Sequence, residues 1–263
     1  MDGDDGYLLD NARQEAGQRF DALAELFDAS TFRHLRAVGV RSGWHAWEVG
    51  AGGSSVASWL AEQVGSEGRV VASDIDTSWT PGAIDYEVIR HDIGIDDPID
   101  GPFDVVHARL VLVHVRERDR ALAAMIASLR PGGWLVIEDA DPALQPLVCL
   151  DESDAAAALA NRLKAGFRNL LAARGVDLAF GRSLPRRLRT AGLVNIAADA
   201  YFPVTGSACI ELERATTEQI RDQLIDAGLA TESEIAEHLA NVVSGKLDLA
   251  TSPMISAWGQ KEI

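Results

Sequence analysis

The feature that most restricts this chain is an alternation that begins at residue 44. Short apolar runs over 44–49, 69–73, 86–90, 103–108 and 134–138 read as strands. Between them lie segments of helical period, one ending near Gln63 and one over 119–129. Near-continuous apolar strands are buried on both faces, and strands alternating with helices build a parallel sheet covered on both sides. Such a sheet takes its ligand beyond the carboxyl ends of the strands, where the strand order reverses.

The flanking segments depart from this rhythm. Apolar residues at Leu9, Ala12, Ala16, Phe20, Leu23 and Phe27 predict a first helix over 8–27, and Phe32, Leu35 and Val38 a second over 31–38. After residue 140 the pattern predicts helices over 151–174, 184–191, 218–227 and 232–243. The last opens on Thr231 and Glu234 in capping-box spacing. Strands are expected within 194–204 and at 254–258. The expected fold is a seven-stranded, mostly parallel α/β sheet with N-terminal helices and a helical insertion near the C-terminus. Residues 1–43 are expected to form a helical lid, 44–140 the ligand-binding half of the sheet, and 141–263 the remaining strands with substrate-facing helices. A length of 263 residues suits one catalytic domain of this kind.

Charge narrows the partners. With 40 acidic and 24 basic residues the formal net charge is −16. Nucleic-acid affinity rests largely on Lys and Arg neutralising phosphates. The nearest basic patch, Arg182, Arg186, Arg187 and Arg189, reads as the exposed face of a helix, so no nucleic-acid partner is expected. Cys149 and Cys209 are far apart and form no ligand spacing, which argues against a disulfide framework or a metal site. The first residues are acidic where a secretory signal would be basic and then apolar. No apolar run reaches the roughly 18 residues of a membrane span. A cytoplasmic monomer or homodimer with no membrane partner and a small-molecule substrate is expected.

The chemistry concentrates in Trp47-Glu48-Val49-Gly50-Ala51-Gly52-Gly53-Ser54, a strand running into a glycine-rich turn that opens a helix. Glycine lets backbone approach a ligand, and a helix N-terminus presents unpaired N–H groups. The dinucleotide pattern G-x-G-x-x-G would need glycine where Ser55 stands, and the pattern G-x-G-x-G would need it where Ser54 stands. Asp74 closes the second strand, where a carboxylate accepts from ribose hydroxyls in either case. Glu48 sits two residues before Gly50, where dinucleotide enzymes more often have an apolar residue.

The string LRPGGWLVIED at 129–139 separates the two. Together with EVGAGGS at 48–54, VVASDID at 70–76, RHDIG at 90–94 and FDVVHARLVLVH at 103–114, it resembles class I, Rossmann-like S-adenosylmethionine-dependent methyltransferases. Residues 44–140 carry the likeness, which is nearest to bacterial enzymes acting on small natural products or quinone-like compounds. The resemblance implies S-adenosylmethionine as methyl donor and S-adenosylhomocysteine as product. It implies that Gly50, Ala51 and Gly52 shape the loop around the methionyl part, with Glu48 orienting it. Asp74 would hold the ribose, Ile75 pack on the adenine, Asp92 take the adenine amino group and the Ile93 amide a ring nitrogen. Arg109 would lie near the methionyl end, and Tyr7 on an N-terminal lid would touch cofactor or substrate. Each residue has a plainer reading too. Asp74 fits a local cap, Asp92 a turn, Arg109 a surface ion pair and Tyr7 an ordinary ordered tyrosine.

Methyl transfer is an in-line displacement, and alignment supplies much of its acceleration. A base is needed only where the acceptor must lose a proton. His114 is the candidate base, with a packed histidine in an apolar run as the alternative. His107, inside the fourth strand, reads as structural. Asp139 and Phe167 are candidate substrate contacts, and Asp141 and Tyr201 weaker ones. Two other readings stay open. One is a member of the fold that uses the sulfonium charge to promote a rearrangement or cyclisation. The other is a nicotinamide oxidoreductase, for which no Tyr-x-x-x-Lys is evident.

Overall fold

The strands of the sheet are β1 (His45–Val49), β2 (Arg69–Asp74), β3 (Glu87–Arg90), β4 (Phe103–Arg109), β5 (Leu129–Ala140), β6 (Val194–Tyr201) and β7 (Met254–Gln260). They lie in the order β3-β2-β1-β4-β5-β7-β6 in the computed structural model, which describes Leu8 and residues 14–79 and 85–263. The first five strands are parallel, and β7 runs antiparallel to both neighbours. The order reverses between β1 and β4. That switch point brings the glycine turn after β1 beside the loop after β4.

The helices are α1 (Gln14–Ala37), α2 (Ser55–Val64), α3 (Arg118–Ser128), α4 (Ala155–Ala173), α5 (Leu184–Thr190), α6 (Ser207–Gln219), α7 (Arg221–Asp226) and α8 (Glu232–Val243). The chain divides into two units. The sheet unit holds residues 27–140, 180–201 and 254–263. Its core packs Leu35 of α1 and Val38 just after it with Val56, Trp59, Leu60 and Val64 of α2 against Ala46, Val70, Val105 and Val136. The other unit holds the chain up to residue 26, 141–179 and 202–253. There Leu159, Leu163, Leu170 and Leu171 of α4 pack with Ile220, Leu224 and Ile235. Asp154 caps α4 by accepting from the Ala157 amide (2.9 Å), and Thr231 and Glu234 close the capping box of α8.

Three expectations change. A single helix, α1, continues through Ser30 and Thr31, where two helices were expected. Thr31 is fully buried and its hydroxyl bonds Glu138, so tertiary contact holds a residue that also suits a helix start. The Arg-Pro-Gly-Gly segment belongs to β5, not to a separate turn. Leu129 pairs with Phe103, and a register shift between Phe103 and Val105 takes up the irregularity, with Gly132 at φ 75°. Helix also begins at Ser207, ahead of the expected 218, and breaks at Ile220.

Candidate active site

β1 ends at Val49, and the chain turns through Gly50 (φ 65°) and Gly52 (φ 52°) before α2 starts. Both sit in the left-handed region that L side chains avoid. A Cβ on Gly50 would stand 2.3 Å from Val111 Cγ2, so the loop after β4 lies directly on the glycine turn. The turn is also tied to the end of β2. The Ala51 amide donates to the Ser73 carbonyl (3.0 Å) and the Gly52 amide to Asp74 Oδ2 (2.8 Å). Asp74 Oδ1 accepts from the Asp76 amide (3.0 Å). Burial pushes the Asp74 carboxyl above its ordinary range, and these backbone donors oppose the shift. Beside it Ile75 is 52% exposed, an apolar side chain left uncovered at a strand end.

Gly50→Ala should therefore be strongly destabilising. Left-handed backbone costs an L residue about 1–2 kcal/mol, and overpacking about 1–3 kcal/mol. Urea unfolding should show a loss of about 2 kcal/mol or more, with partial recovery in Gly50→Ala/Val111→Ala. Native stability in the single variant would contradict the close approach.

After β3, Asp92 Oδ1 accepts from the Gly94 amide (2.8 Å), and the Asp92 amide donates to Asp96 Oδ2 (2.8 Å). Asp92 is thus a turn former. Ile93 beside it is buried.

A buried polar chain crosses one face of the central strands. Glu48 and His107 are register partners on β1 and β4, and Glu138 lies two residues past the His107 partner on β5. His107 Nδ1 is 2.6 Å from Glu48 Oε2, and His107 Nε2 is 3.4 Å from Glu138 Oε2. Glu138 also accepts from Ser256 Oγ (2.7 Å) and the Thr31 hydroxyl, and its Oε1 lies 2.9 Å from His34 Nδ1. His34 Nε2 continues to Asp199 Oδ1 (3.0 Å), and Asp199 Oδ2 to Arg33 (2.8 Å). Arg109 donates to Asp28 Oδ1 (2.9 Å) and Thr31 Oγ1 (3.0 Å).

Burial opposes charge on every inner member, yet the partners decide the outcome. Burial disfavours a charged His107, but Glu48 and Glu138 push its pKa up to about 9. Burial would raise Glu138, but His107 and His34 hold it well below the usual carboxylate range. Glu48 is raised by burial, with His107 and Arg109 opposing.

Asp139 points to the opposite face from Glu138, as alternate strand residues do. It is fully buried, and no donor among the described residues meets either carboxylate oxygen in full hydrogen-bond geometry, although the Val113 and Leu112 amides lie close by. Burial pushes it well above the usual range, and the Val113 amide, Arg118 and the Leu112 amide oppose this only partly. The loop those amides belong to carries His114, which is half-buried and whose amide donates to the Val111 carbonyl (3.0 Å). The loop begins at Leu110, held at φ 58°, an uncommon conformation for a bulky residue. Arg118 fastens it by donating to the Leu112 and Val113 carbonyls (both 3.1 Å).

The sheet unit thus gathers Glu48, Gly50, Ala51, Gly52, Asp74, Ile75, Asp92, Ile93, Arg109, His114 and Asp139 at or just past the carboxyl ends of β1 to β5. Phe167 belongs to the helical unit, where it packs against the α4 core with the Lys164 ammonium 5.3 Å from its ring centre. Asp141, also there, accepts from the Leu144 amide (2.9 Å). Tyr201, at the end of β6, meets Phe27 edge-on at 6.3 Å. Tyr7 lies outside the described residues. Sequence reasoning missed Glu138, His34, Thr31 and Asp28. For Glu138 the available signal was an acid inside a strand that follows the apolar run Trp134–Ile137; Asp28, Thr31 and His34 lie on α1 and carry no such signal. Among the described residues no group of three or more His, Cys, Asp or Glu is placed to hold a metal ion, and no helix is long and apolar enough to cross a membrane.

A family model described as a methyltransferase domain matches residues 4–198. The ubiquinone/menaquinone biosynthesis C-methyltransferase UbiE of Pseudoalteromonas translucida is 24% identical over 153 residues, covering 52% of this chain and 60% of its own length. That of Vibrio parahaemolyticus is 31% identical over 148 residues, covering 49% and 56%. The chain therefore spans less than two thirds of these relatives. The fold is similar to that of Haemonchus contortus phosphoethanolamine N-methyltransferase 2 in complex with phosphomonomethylethanolamine and S-adenosylhomocysteine. The TM-score is 0.59 at 14% identity, covering 97% of this chain and 59% of that one.

Proposed function

The chain belongs to the methyltransferase-domain family, and from that premise we propose that it moves a methyl group from S-adenosylmethionine to a small natural-product or quinone-like acceptor. The observation that carries this reading is the glycine turn at the switch point, closed on one side by Asp74 and an uncovered Ile75 and on the other by the loop bearing His114. The donor set fits the cofactor. Asp74 keeps lone pairs for two ribose hydroxyls beyond the two amides it accepts from. Ile75 offers apolar area to the adenine, with the Asp92 carboxylate and the Ile93 amide for its polar edge. Gly50, Ala51 and Gly52 shape the turn that would face the methionyl part, and Glu48 and Arg109 carry charges suited to its ammonium and carboxylate. Tyr7 is kept as a lid contact. The cofactor supplies an electrophilic methyl on a sulfonium, which leaves as S-adenosylhomocysteine.

In this reading His114 takes the proton of an acceptor that must lose one, from a loop already seated on the glycine turn. Asp139, whose carboxyl burial pushes well above the usual range, is kept as a candidate acceptor contact beside this loop. Phe167 supplies apolar wall. A lid role is confined to the chain before residue 27, because Thr31, His34 and Leu35 belong to the sheet interior; 44–140 bind the cofactor, and the helical segments after residue 140 select the acceptor. The quinone-like class is favoured by the relatives named above.

Calorimetric titration with S-adenosylmethionine and separately with NADH tests the reading. Micromolar binding of the first and none of the second is expected, and the reverse would point to a reductase. Transfer of label from a labelled methyl group separates methylation from a rearrangement promoted by the same cofactor. His114→Ala should reduce turnover at least about tenfold, at the modest end of general-base contributions, while leaving cofactor affinity nearly native. Full turnover would return His114 to a packing role.

A further inference from the structure

We propose that His107 is a positioning residue whose ring, clamped by Glu138, holds the Glu48 carboxylate so that its second oxygen receives the methionyl ammonium of the cofactor. This rests on the reading of Glu48 as a contact to the methionyl end. Glu48 stands two residues before Gly50, at the foot of the glycine turn. Its Oε2 is taken by His107 Nδ1 at 2.6 Å. Its Oε1 has no hydrogen-bond partner among the described residues, in a side chain that is almost wholly buried. A carboxylate oxygen that no protein donor takes is free to accept from a bound ammonium.

His107 can orient Glu48 because it is itself fixed from the other side. Its Nε2 faces Glu138, whose carboxylate is held by Ser256, Thr31 and His34. Every titratable neighbour comes from a different element: Glu48 on β1, Glu138 on β5 and His34 on α1. Arg109 on β4 adds a positive charge that favours both carboxylates. The ring is fully buried and cannot exchange these partners for water. It therefore joins the sheet interior to the cofactor loop as a rigid, charged strut.

Two ligands separate positioning from general support. S-adenosylhomocysteine carries the amino-acid end, and 5′-methylthioadenosine carries adenosine and the thioether without it. His107→Gln keeps an amide near the Nε2 position and loses the Nδ1 donor. His107→Asn keeps a donor near Nδ1. His107→Gln should weaken S-adenosylhomocysteine roughly tenfold or more, the scale of a hydrogen bond to a charged group, and leave 5′-methylthioadenosine unchanged. His107→Asn should restore most of the difference. Equal weakening of both ligands, or equal behaviour of the two variants, would overturn the proposal. Glu48→Gln is the control for the underlying reading. If it spares both ligands, Glu48 is no methionyl contact and the proposal falls with it. If it weakens S-adenosylhomocysteine selectively while His107→Gln does not, the positioning role alone fails. Should the His107 variants not fold, nitrogen NMR of the native protein decides. The His107 ring resonances should move with S-adenosylhomocysteine and not with 5′-methylthioadenosine, and an unresponsive ring would refute the strut.

Discussion

Asp74→Ala should weaken S-adenosylmethionine binding by about 1–3 kcal/mol, or roughly five- to a hundredfold. One part of this is direct, since the substitution removes the acceptor for the ribose hydroxyls. The other part is indirect. Asp74 Oδ2 anchors the Gly52 amide at 2.8 Å and Oδ1 the Asp76 amide at 3.0 Å, so alanine also frees the glycine turn and the start of the β2–β3 loop. Asp74→Asn retains one acceptor oxygen and should fall between the native protein and alanine. Calorimetry reads both. Native affinity in Asp74→Ala would remove this residue from the site and with it the support that the ribose contact lends to the cofactor assignment.

The largest stability effect is expected at Glu138. Its carboxylate gathers Ser256, Thr31, His34 and His107 in the sheet interior, with an exposure of 1%. Removing one partner of a buried charged pair costs about 3–5 kcal/mol, because the other charge is left uncompensated. Glu138→Ala should lose that much in urea unfolding. Glu138→Gln, which keeps shape and one acceptor, should lose less. A loss under about 1 kcal/mol in the alanine variant would mean that the network carries little net stability.

The same residues set a pH dependence. Glu138 has a lowered pKa in the folded state, so its contribution is present above the unfolded value near 4.5 and disappears as the pH falls through the folded value. His107 has a raised pKa, so its contribution is complete below the unfolded value near 6.5 and disappears as the pH rises to about 9. Between roughly pH 4.5 and 6.5 both are present. The native protein should lose stability from pH 6.5 to 9 more steeply than Glu138→Gln. Comparing the two curves cancels the general repulsion of a chain with a net charge of −16. Parallel curves would show that His107 is not charged by this network.

Much of the fold is local enough to be read from residue order. The five parallel strands appear as short apolar runs, and the glycine turn as a strand end followed by Gly50 and Gly52. The Thr231 and Glu234 capping box depends only on residues three apart, and it forms as read. Errors arise where a distant residue overrides a local preference. Thr31 reads as the start of a second helix, and its buried bond to Glu138, 107 residues away, keeps it inside α1. Arg130-Pro131-Gly132-Gly133 reads as a turn, and pairing with β4 draws it into β5.

The same division holds for the candidate site. Asp74, Ile75 and the glycines follow from position relative to strand ends, because backbone geometry at a βα turn is a short-range property. Asp92 bonds Gly94 and Asp96, a local pattern that its position in a turn suggests, whereas the partners of Arg109, Asp28 and Thr31, lie about 80 residues away and are not legible locally. His107 looked like a structural residue within a strand. Only the register of β1, β4 and β5 sets it between two carboxylates and makes it a charged group. Strand order and register depend on contacts between segments 30 to 100 residues apart, which local residue preferences do not encode. Burial then turns those contacts into charge, since a group removed from water takes the protonation state that its nearest partners impose.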